Sequence, residues 1–372
     1  MNRTLTFPEQ VGFRLRDLYA QWGYIHYKMS KFEEYDLYAR NKDFLISDSA
    51  ITFLDTSGRL MALKPDVTLS IVKNTRDDTP ALQKLYYHEN VYRVEKNSQS
   101  FREIPQVGLE CLGDIDDWAI TEVLMLAAES LKSISQDAIL AISHLGLLTG
   151  LLDAAGLPRA LREEALGCIG QKNFHELTTL CRDCGMEESA IAFLKNTVSL
   201  SGAPDAVLSA LEAAADRLAD PGPLAQLRRI TGALTEAGLS PMVRFDFSAV
   251  DDLRYYNGIV FKGFLLGVPS PILSGGQYDR LMQKMHRRAG AIGFAVYLNA
   301  LQQLDTARAD FDVDALLLYD PGTNPAALYA AVRTLTEQGL RVSVQPEHPQ
   351  HLRTRQIFKI QGGEVTELDN HA

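Results

Sequence analysis

The side chains best able to do chemistry are few and loosely grouped. Cys181-x-x-Cys184 is the only close cysteine pair, with Cys168 and His175 nearby in sequence. A structural zinc site needs four ligands in tetrahedral reach, and the second Cys-x-x-Cys that would complete one is missing. A redox pair needs a strand-to-helix setting that LTTLCRDCGMEE does not supply. These thiols read as ordinary helical cysteines, and no metal is expected. Gly275-Gly276, before Gln277-Tyr278-Asp279, lacks both the Lys-Ser/Thr of a phosphate loop and the three glycines of a dinucleotide fold. Such a pair marks either a close approach to a small ligand or a tight strand bend. There is no Gly-x-Ser-x-Gly elbow and no His-Glu-x-x-His helix, and none of the eight histidines sits beside a nucleophile. Local motifs thus assign no catalytic residue.

The elements that must position any site follow from hydrophobic periodicity. Residues 8–22 show apolar spacing near the helical period. Residues 51–63 hold two apolar runs around Asp55-Thr56-Ser57-Gly58, a hairpin signal. Thr68 or Asp66 is placed to cap a helix running into LSIVKN. Residues 84–95 and 106–113 read as strands joined by the polar loop KNSQSFREIP. From 118 to about 240, Ala and Leu dominate between Pro/Gly breaks, which reads as a helix-rich block. Strand signals return at 242–247, 253–267 and 271–273, and residues 290–304 read as a strand turning into a helix. The tail gives a strand at Val313–Tyr319, a turn, a helix, a second strand at Arg341–Val344 and a final hairpin, a β–α–β unit of parallel type. A boundary near 305–312 divides the chain into a core, 1–304, and a piece of 305–372.

Composition narrows the function. With 37 Lys+Arg against 47 Asp+Glu, the net charge is −10, and a uniformly acidic chain makes a poor general nucleic-acid binder. Four cysteines in 372 residues are too few for a stapled secreted fold. No apolar run reaches the roughly 18 residues that span a bilayer, and the first residues lack a signal-peptide pattern. A cytoplasmic protein with no membrane contact is expected.

The combination of segments says more than any one of them. Pro65-Asp66-Val67-Thr68 follows the hairpin. Tyr92-Arg93-Val94-Glu95, a polar loop carrying Arg102, and Gln106-x-x-x-Glu110 come next. Much later come Leu253-Arg254-Tyr255-Tyr256-Asn257-Gly258, then Gly275-Gly276-Gln277-Tyr278-Asp279, and last Gly293-Phe294-Ala295, read as opening a helix. This order and spacing resemble the catalytic core of histidyl-tRNA synthetase over residues 8–113 and 240–301. The family's PEGT stands here as PDVT, its FRxE as Tyr92-Arg93-Val94-Glu95, and its QLGCE as Gln106-Val107-Gly108-Leu109-Glu110. The resemblance implies an α+β, class II aminoacyl-tRNA synthetase-like fold: an antiparallel sheet flanked by helices, a helical insertion at about 118–240, and a short C-terminal α/β piece.

Two departures bear on activity. Where the family reads VRGLDYY, this chain reads Val250-Asp251-Asp252-Leu253-Arg254-Tyr255-Tyr256, so Asp251 replaces the arginine that stabilises the substrate carboxylate and the reacting phosphate. Losing one such preorganised donor commonly costs about 3 kcal/mol of transition-state stabilisation, and a carboxylate there adds repulsion. Where the family reads GLERL, Ala300 in Tyr297-Leu298-Asn299-Ala300-Leu301 replaces the arginine that holds the far ATP phosphates. Arg93 and Arg102 remain as candidate anion contacts. The tail is short for a domain that reads an anticodon, so no tRNA is expected.

What remains is the amino-acid pocket. By resemblance, Asp66, Thr68 and Gln106 grip an amino group, while Glu110 and a tyrosine, Tyr256, read an imidazole, with Tyr255 and Tyr278 nearby. Carboxylates and neutral acceptors suit an ammonium and a ring N–H. The alternative is that these residues are relics satisfied among themselves. A synthetase-like core without the ATP arginines resembles the regulatory subunit of ATP phosphoribosyltransferase. That family implies no catalysis in this chain and no cofactor, with magnesium only at the partner's active site. It implies a homodimeric core that joins the short catalytic subunit, activates the first step of histidine biosynthesis and mediates histidine feedback inhibition. The alternative from the enzyme class is a divergent histidyl-tRNA synthetase, or a related class II ATP-dependent histidine ligase.

Overall fold

The computed structural model describes residues 5–42, 50–75, 81–94, 100–212, 214–249, 255–304 and 311–368. The chain forms two compact units, Met1–Gln303 and Leu304–Ala372.

The first unit opens with helix α1 (Phe7–Gln21), started by a capping box in which Glu9 Oε2 accepts the Thr6 N–H at 2.7 Å. Its buried stripe is Val11, Leu15 and Tyr19, and Gly23 at φ 81° turns the chain out of it. Then follow β1 (Ile25–His26), β2 (Phe32–Glu34), α2 (Tyr35–Arg40), β3 (Thr52–Leu54), β4 (Leu60–Leu63), α3 (Thr68–Asn74), β5 (Gln83–Val94) and β6 (Phe101–Gly113). Strands β2, β4 and β3 make a small antiparallel sheet. Its hairpin turn is the anticipated one, held by Asp55 Oδ1 accepting the Ser57 and Arg59 N–H groups, both at 2.8 Å.

The middle of the chain carries α4 (Asp117–Ile134), β7 (Ala138–His144), α5 (Leu145–Ala154), α6 (Arg162–Gly170), α7 (Phe174–Asp183), α8 (Glu188–Val198), β8 (Ser201–Gly202), α9 (Pro204–Glu212) and α10 (Gly222–Glu236). The block 118–240 is helix-rich as expected, with a strand of the main sheet, β7, that the sequence did not show. AILAISH is a strand inside the main sheet, and because all of its residues but Ile139 are buried it shows no alternation to distinguish it from a helix. The unit closes with β9 (Val243–Asp246), β10 (Ile259–Leu265), β11 (Leu273–Gln277), α11 (Asp279–Lys284) and β12 (Gly290–Tyr297).

Nine strands form the main sheet in the order β1-β5-β6-β12-β11-β10-β7-β9-β8. Its central pairs are antiparallel, and only β1 with β5 and β7 with β9 run parallel. Helices α1 and α4 cover one face, where the Tyr19 hydroxyl meets Ser130 Oγ at 2.9 Å. Three sequence expectations shift here. The loop KNSQSFREIP ends at Ser100, since Phe101–Pro105 belong to β6. Gly275-Gly276 lies within β11. Gly293-Phe294-Ala295 lies within β12 rather than opening a helix, and a 3-10 segment, Leu298–Leu304, follows.

In the second unit, β13 (Val313–Tyr319), α12 (Pro325–Glu337), β14 (Val342–Gln345), β15 (Thr354–Gln361) and β16 (Glu364–Leu368) give a four-stranded sheet of order β14-β13-β15-β16. Strand β13 runs parallel to β14 and β15, as a β–α–β unit requires. Leu317, Ala331 and Ile360 are its core. Among the described residues no helix is long and apolar enough to cross a membrane.

The glycines of β11 are a packing requirement. A Cβ on Gly275 would lie 2.4 Å from the Gly293 carbonyl oxygen and 2.4 Å from Phe294 Cβ. Gly275→Ala therefore forces neighbouring backbone apart, and overpacking of this kind costs about 3 kcal/mol or more. Urea denaturation of the variant is expected to show a lowered midpoint; an unchanged midpoint contradicts this account of the sheet.

Candidate functional site: a buried acidic cavity

Strand alternation builds the site. On β6, Gln106, Gly108 and Glu110 face one side, while Val107, Leu109 and Cys111 face the helices. The register sets Glu89 opposite Gln106, Tyr87 opposite Gly108, Gly293 opposite Glu110, and Tyr297 opposite Gln106. On β11, Ser274 pairs with Ala295 and Gly276 with Gly293, so the same face continues across four strands. A cavity of about 240 Å³ lies over this face. That is below the roughly 300–1,000 Å³ of drug-sized sites, and in scale with a single amino acid.

Segment 64–68 forms one wall, and nearly every residue in it is tied down. Lys64 is fully buried and its Nζ bonds Glu89 Oε2 at 2.5 Å. The Lys64 carbonyl accepts Tyr92 N–H at 2.9 Å, and the Pro65 carbonyl accepts Arg93 Nε at 3.2 Å. Asp66 Oδ1 accepts the Leu69 N–H at 2.9 Å, so of the two anticipated capping residues it is Asp66 that caps α3. Thr68 is turned the other way. Its Oγ1 donates to Glu110 Oε1 at 2.7 Å.

Glu110 is the centre of the arrangement. It is 2% exposed, and its second oxygen, Oε2, accepts the Tyr278 hydroxyl at 2.6 Å. A Cβ on Gly293 would sit 1.8 Å from that oxygen, so the glycine opposite is what leaves room for the carboxylate. Gly276 does the same for an aromatic ring, because a Cβ there would lie 2.7 Å from Tyr256. The two glycine positions therefore record close approach by the chain's own side chains. Tyr255 packs edge-on to Tyr256, with centroids 4.8 Å apart, and lies 5.6 Å from the Tyr278 ring. The Tyr255 hydroxyl lies beside Thr68 and that of Tyr256 beside Ser274.

Three residues that sequence reasoning quoted without a role hold these tyrosines in place. Asn257 Nδ2 donates to Asp279 Oδ2 at 2.8 Å and Asn257 Oδ1 accepts the Asp279 N–H at 2.7 Å. Gln277 Oε1 accepts the Ile259 N–H at 2.9 Å. The turn after Tyr256 is thereby locked to the residue after Tyr278. Tyr87, Ser274 and Tyr297 also line the cavity and were missed. The period-2 alternation of β5 and β12 was the signal that would have found Tyr87 and Tyr297.

The electrostatics are one-sided. Asp66, Gln106, Glu110 and several tyrosine hydroxyls line the cavity, and Arg93 is the only cation among the described residues that do so. Burial pushes Glu110 up to about 8, against the Tyr278 and Thr68 hydroxyls that favour its charged form; nearby Asp66 adds to the rise. Burial also raises Asp66, while the Leu69 N–H and Arg93 hold it down. Gln106 is 4% exposed, and its side-chain amide makes no hydrogen bond among the described residues.

The structure thus brings Asp66, Thr68, Gln106, Glu110, Tyr255, Tyr256 and Tyr278 to one cavity, together with Arg93. Arg102 stands directly opposite Arg93 in the register but is exposed and not part of the lining. Asp251 and Arg254 fall outside the described residues. Ala300 is half-buried in the 3-10 segment after β12. Cys181 is buried and its carbonyl accepts the Cys184 thiol at 3.2 Å. Among the described residues no group of three His, Cys, Asp or Glu is placed to hold a metal ion.

The raised Glu110 value has a stability consequence. The folded state holds this proton more tightly than the unfolded chain, whose value is near 4.5. Its contribution is full below about pH 4.5 and is lost as pH rises through about 8, for a total of roughly 5 kcal/mol at most. Denaturation from pH 5 to 8 is expected to show a fall in stability that Glu110→Gln flattens. Parallel pH curves for the two proteins contradict the buried, unpaired acid.

The family model described as histidyl-tRNA synthetase matches residues 5–301. An ATP phosphoribosyltransferase regulatory subunit of Desulforamulus reducens is 30% identical over 339 residues, covering 87% of this chain and 82% of that protein. A crystal structure from Bacillus halodurans, described as an ATP phosphoribosyltransferase regulatory subunit/histidyl-tRNA synthetase, superposes with a TM-score of 0.79 at 24% identity and covers 96% of each chain. A chain of the ATP phosphoribosyl transferase (HisG:HisZ) complex from Thermotoga maritima superposes with a TM-score of 0.60 at 19% identity, over 77% of this chain and 96% of that one.

Proposed function

The chain belongs to the histidyl-tRNA synthetase family, as a non-catalytic ATP phosphoribosyltransferase regulatory subunit, and from that premise we propose that it senses histidine in the cavity over Glu110 and sets the activity of a separate, short catalytic subunit. That partner carries the chemistry of the first step of histidine biosynthesis, including its magnesium. This chain stimulates the partner, and histidine reverses the stimulation. The core acts as a homodimer in the cytoplasm, with no tRNA involved.

The observation that carries this reading is the mismatch between two halves of the site. The half suited to an amino acid is complete: buried acceptors, an amide with no internal partner, and a single arginine. The half suited to ATP phosphates is depleted, with Ala300 where the family has an arginine. A ligand α-ammonium suits Asp66 and the Gln106 carbonyl oxygen, and a ligand carboxylate suits Arg93. An imidazole N–H suits Glu110, whose oxygens each keep a lone pair beside the hydroxyl they already accept. Thr68 donates its hydroxyl proton to Glu110, and its oxygen still accepts from that ammonium beside Asp66 and Gln106.

Histidine then couples to the partner through a free energy shared between two sites, typically about 1–3 kcal/mol. The test is phosphoribosyl-ATP formation by the short catalytic subunit, with and without this chain and with added histidine. Stimulation that histidine reverses is expected; no stimulation and no co-purification contradict the reading. Hydrogen bonds to a charged group are worth about 1.5–3 kcal/mol. Gln106→Ala is therefore expected to raise the half-inhibitory histidine concentration roughly ten- to a hundredfold. Unchanged histidine sensitivity in that variant removes Gln106 from the sensor.

A further inference from the structure

We propose that the cavity takes histidine as the imidazolium cation, with Glu110 supplying the ring proton as the ring docks. The Glu110 O–H bond breaks, an N–H bond forms on the ring, and a carboxylate–imidazolium pair remains between Thr68 and Tyr278. No other reactant is consumed. The inference rests on the histidine reading above and concerns the charge state in which the ligand is held.

The geometry around Glu110 points this way. Its two oxygens are met by two hydroxyl donors, Thr68 Oγ1 and the Tyr278 hydroxyl, and by no cation among the described residues. The titratable groups around it are Asp66 on the wall segment, Tyr278 ahead of α11, Tyr87 on β5, and Tyr255 and Tyr256 after β9. Tyr24 and Cys111 lie near it as well. All are acids, so none supplies a positive charge. Arg93 offsets Asp66 and spends its Nε on the Pro65 carbonyl. A buried carboxylate without a counter-ion keeps its proton rather than its charge, in line with the rise of Glu110 to about 8.

A docking imidazole changes that balance. It is a base of ordinary pKa about 6.5, and it arrives where a carboxylate already has both oxygens hydrogen-bonded. Buried ion pairs are stable when further hydrogen bonds satisfy the remaining polar atoms, and that condition is met before the ligand enters. The charge-assisted bond so formed is stronger than the neutral one it replaces. A site built this way favours a planar ring that can accept a proton over an isosteric ring that cannot.

Ring-labelled ¹⁵N-histidine bound to the full chain at pH 8 is the direct probe. The proposal expects both ring nitrogens at imidazolium shifts, where free histidine is neutral. Calorimetry at each pH in two buffers of different ionisation enthalpy gives the proton count. Near pH 6 the free ring is largely charged and Glu110 largely protonated, so binding releases most of one proton. Near pH 9 the ring and Glu110 are both deprotonated, so the ring takes up most of one proton, beyond the uptake by the ligand's α-amino group, which also titrates there. Proton uptake near pH 9 therefore falls by most of one proton in Glu110→Gln, which keeps only the α-amino share. Saturable binding with a neutral bound ring, or with the same proton uptake near pH 9 in the wild type and in Glu110→Gln, overturns this inference and leaves the histidine reading standing. No binding of histidine at any pH overturns both.

Discussion

Placing one carboxylate, Glu110, in the dry centre of a sheet constrains nearly everything around it. An acid there is tolerated only if its oxygens are hydrogen-bonded, and Thr68 and Tyr278 provide those bonds from two distant parts of the chain. Thr68 reaches it because Asp66 caps α3 and turns the threonine inward. Tyr278 reaches it because Asn257 and Asp279 lock the neighbouring turns together. The strand opposite must then be glycine at position 293, since any side chain there would occupy the space of Oε2. One buried acid thus fixes the identity of residues spread over more than two hundred positions.

The same constraint separates what this chain keeps from what it gives up. A cavity with two carboxylates and one arginine attracts a small cation with a carboxylate tail, and is poorly suited to a polyanion. Ala300 fits that bias, as does the exposed position of Arg102 outside the lining. On the histidine reading, a chain with the amino-acid half of the site and a depleted phosphate half binds histidine rather than activating it. Regulation then needs only that binding here differs between two states of a complex.

Much of this was legible in the sequence where local chemistry and periodicity agree. The hairpin around Asp55–Gly58, the helix after Asp66, the alternation at Gln106–Glu110 and the β–α–β tail were all readable from turn residues and spacing. Strand β7 was not, because burial on both faces erases alternation and Ala-Leu composition mimics the flanking helices. Gly293 was placed at a helix start, because spacing along the chain does not record that a carboxylate from another strand fills its side-chain position. Thr68 was read against the ligand's amino group alone, and its bond to Glu110 was not foreseen. Such partners depend on register between strands far apart in sequence, which no local pattern encodes. Asn257, Gln277 and Asp279 escaped assignment for the same reason: they act on the backbone of distant turns.

The central claim is that the cavity over Glu110 is the histidine site. A crystal structure of the full chain grown with saturating histidine tests it most directly. The account predicts the ring within hydrogen-bond distance of Glu110 between Thr68 and Tyr278, the ligand amine on Asp66 and Gln106, and its carboxylate toward Arg93. Histidine seated elsewhere with this cavity unchanged and empty would contradict it.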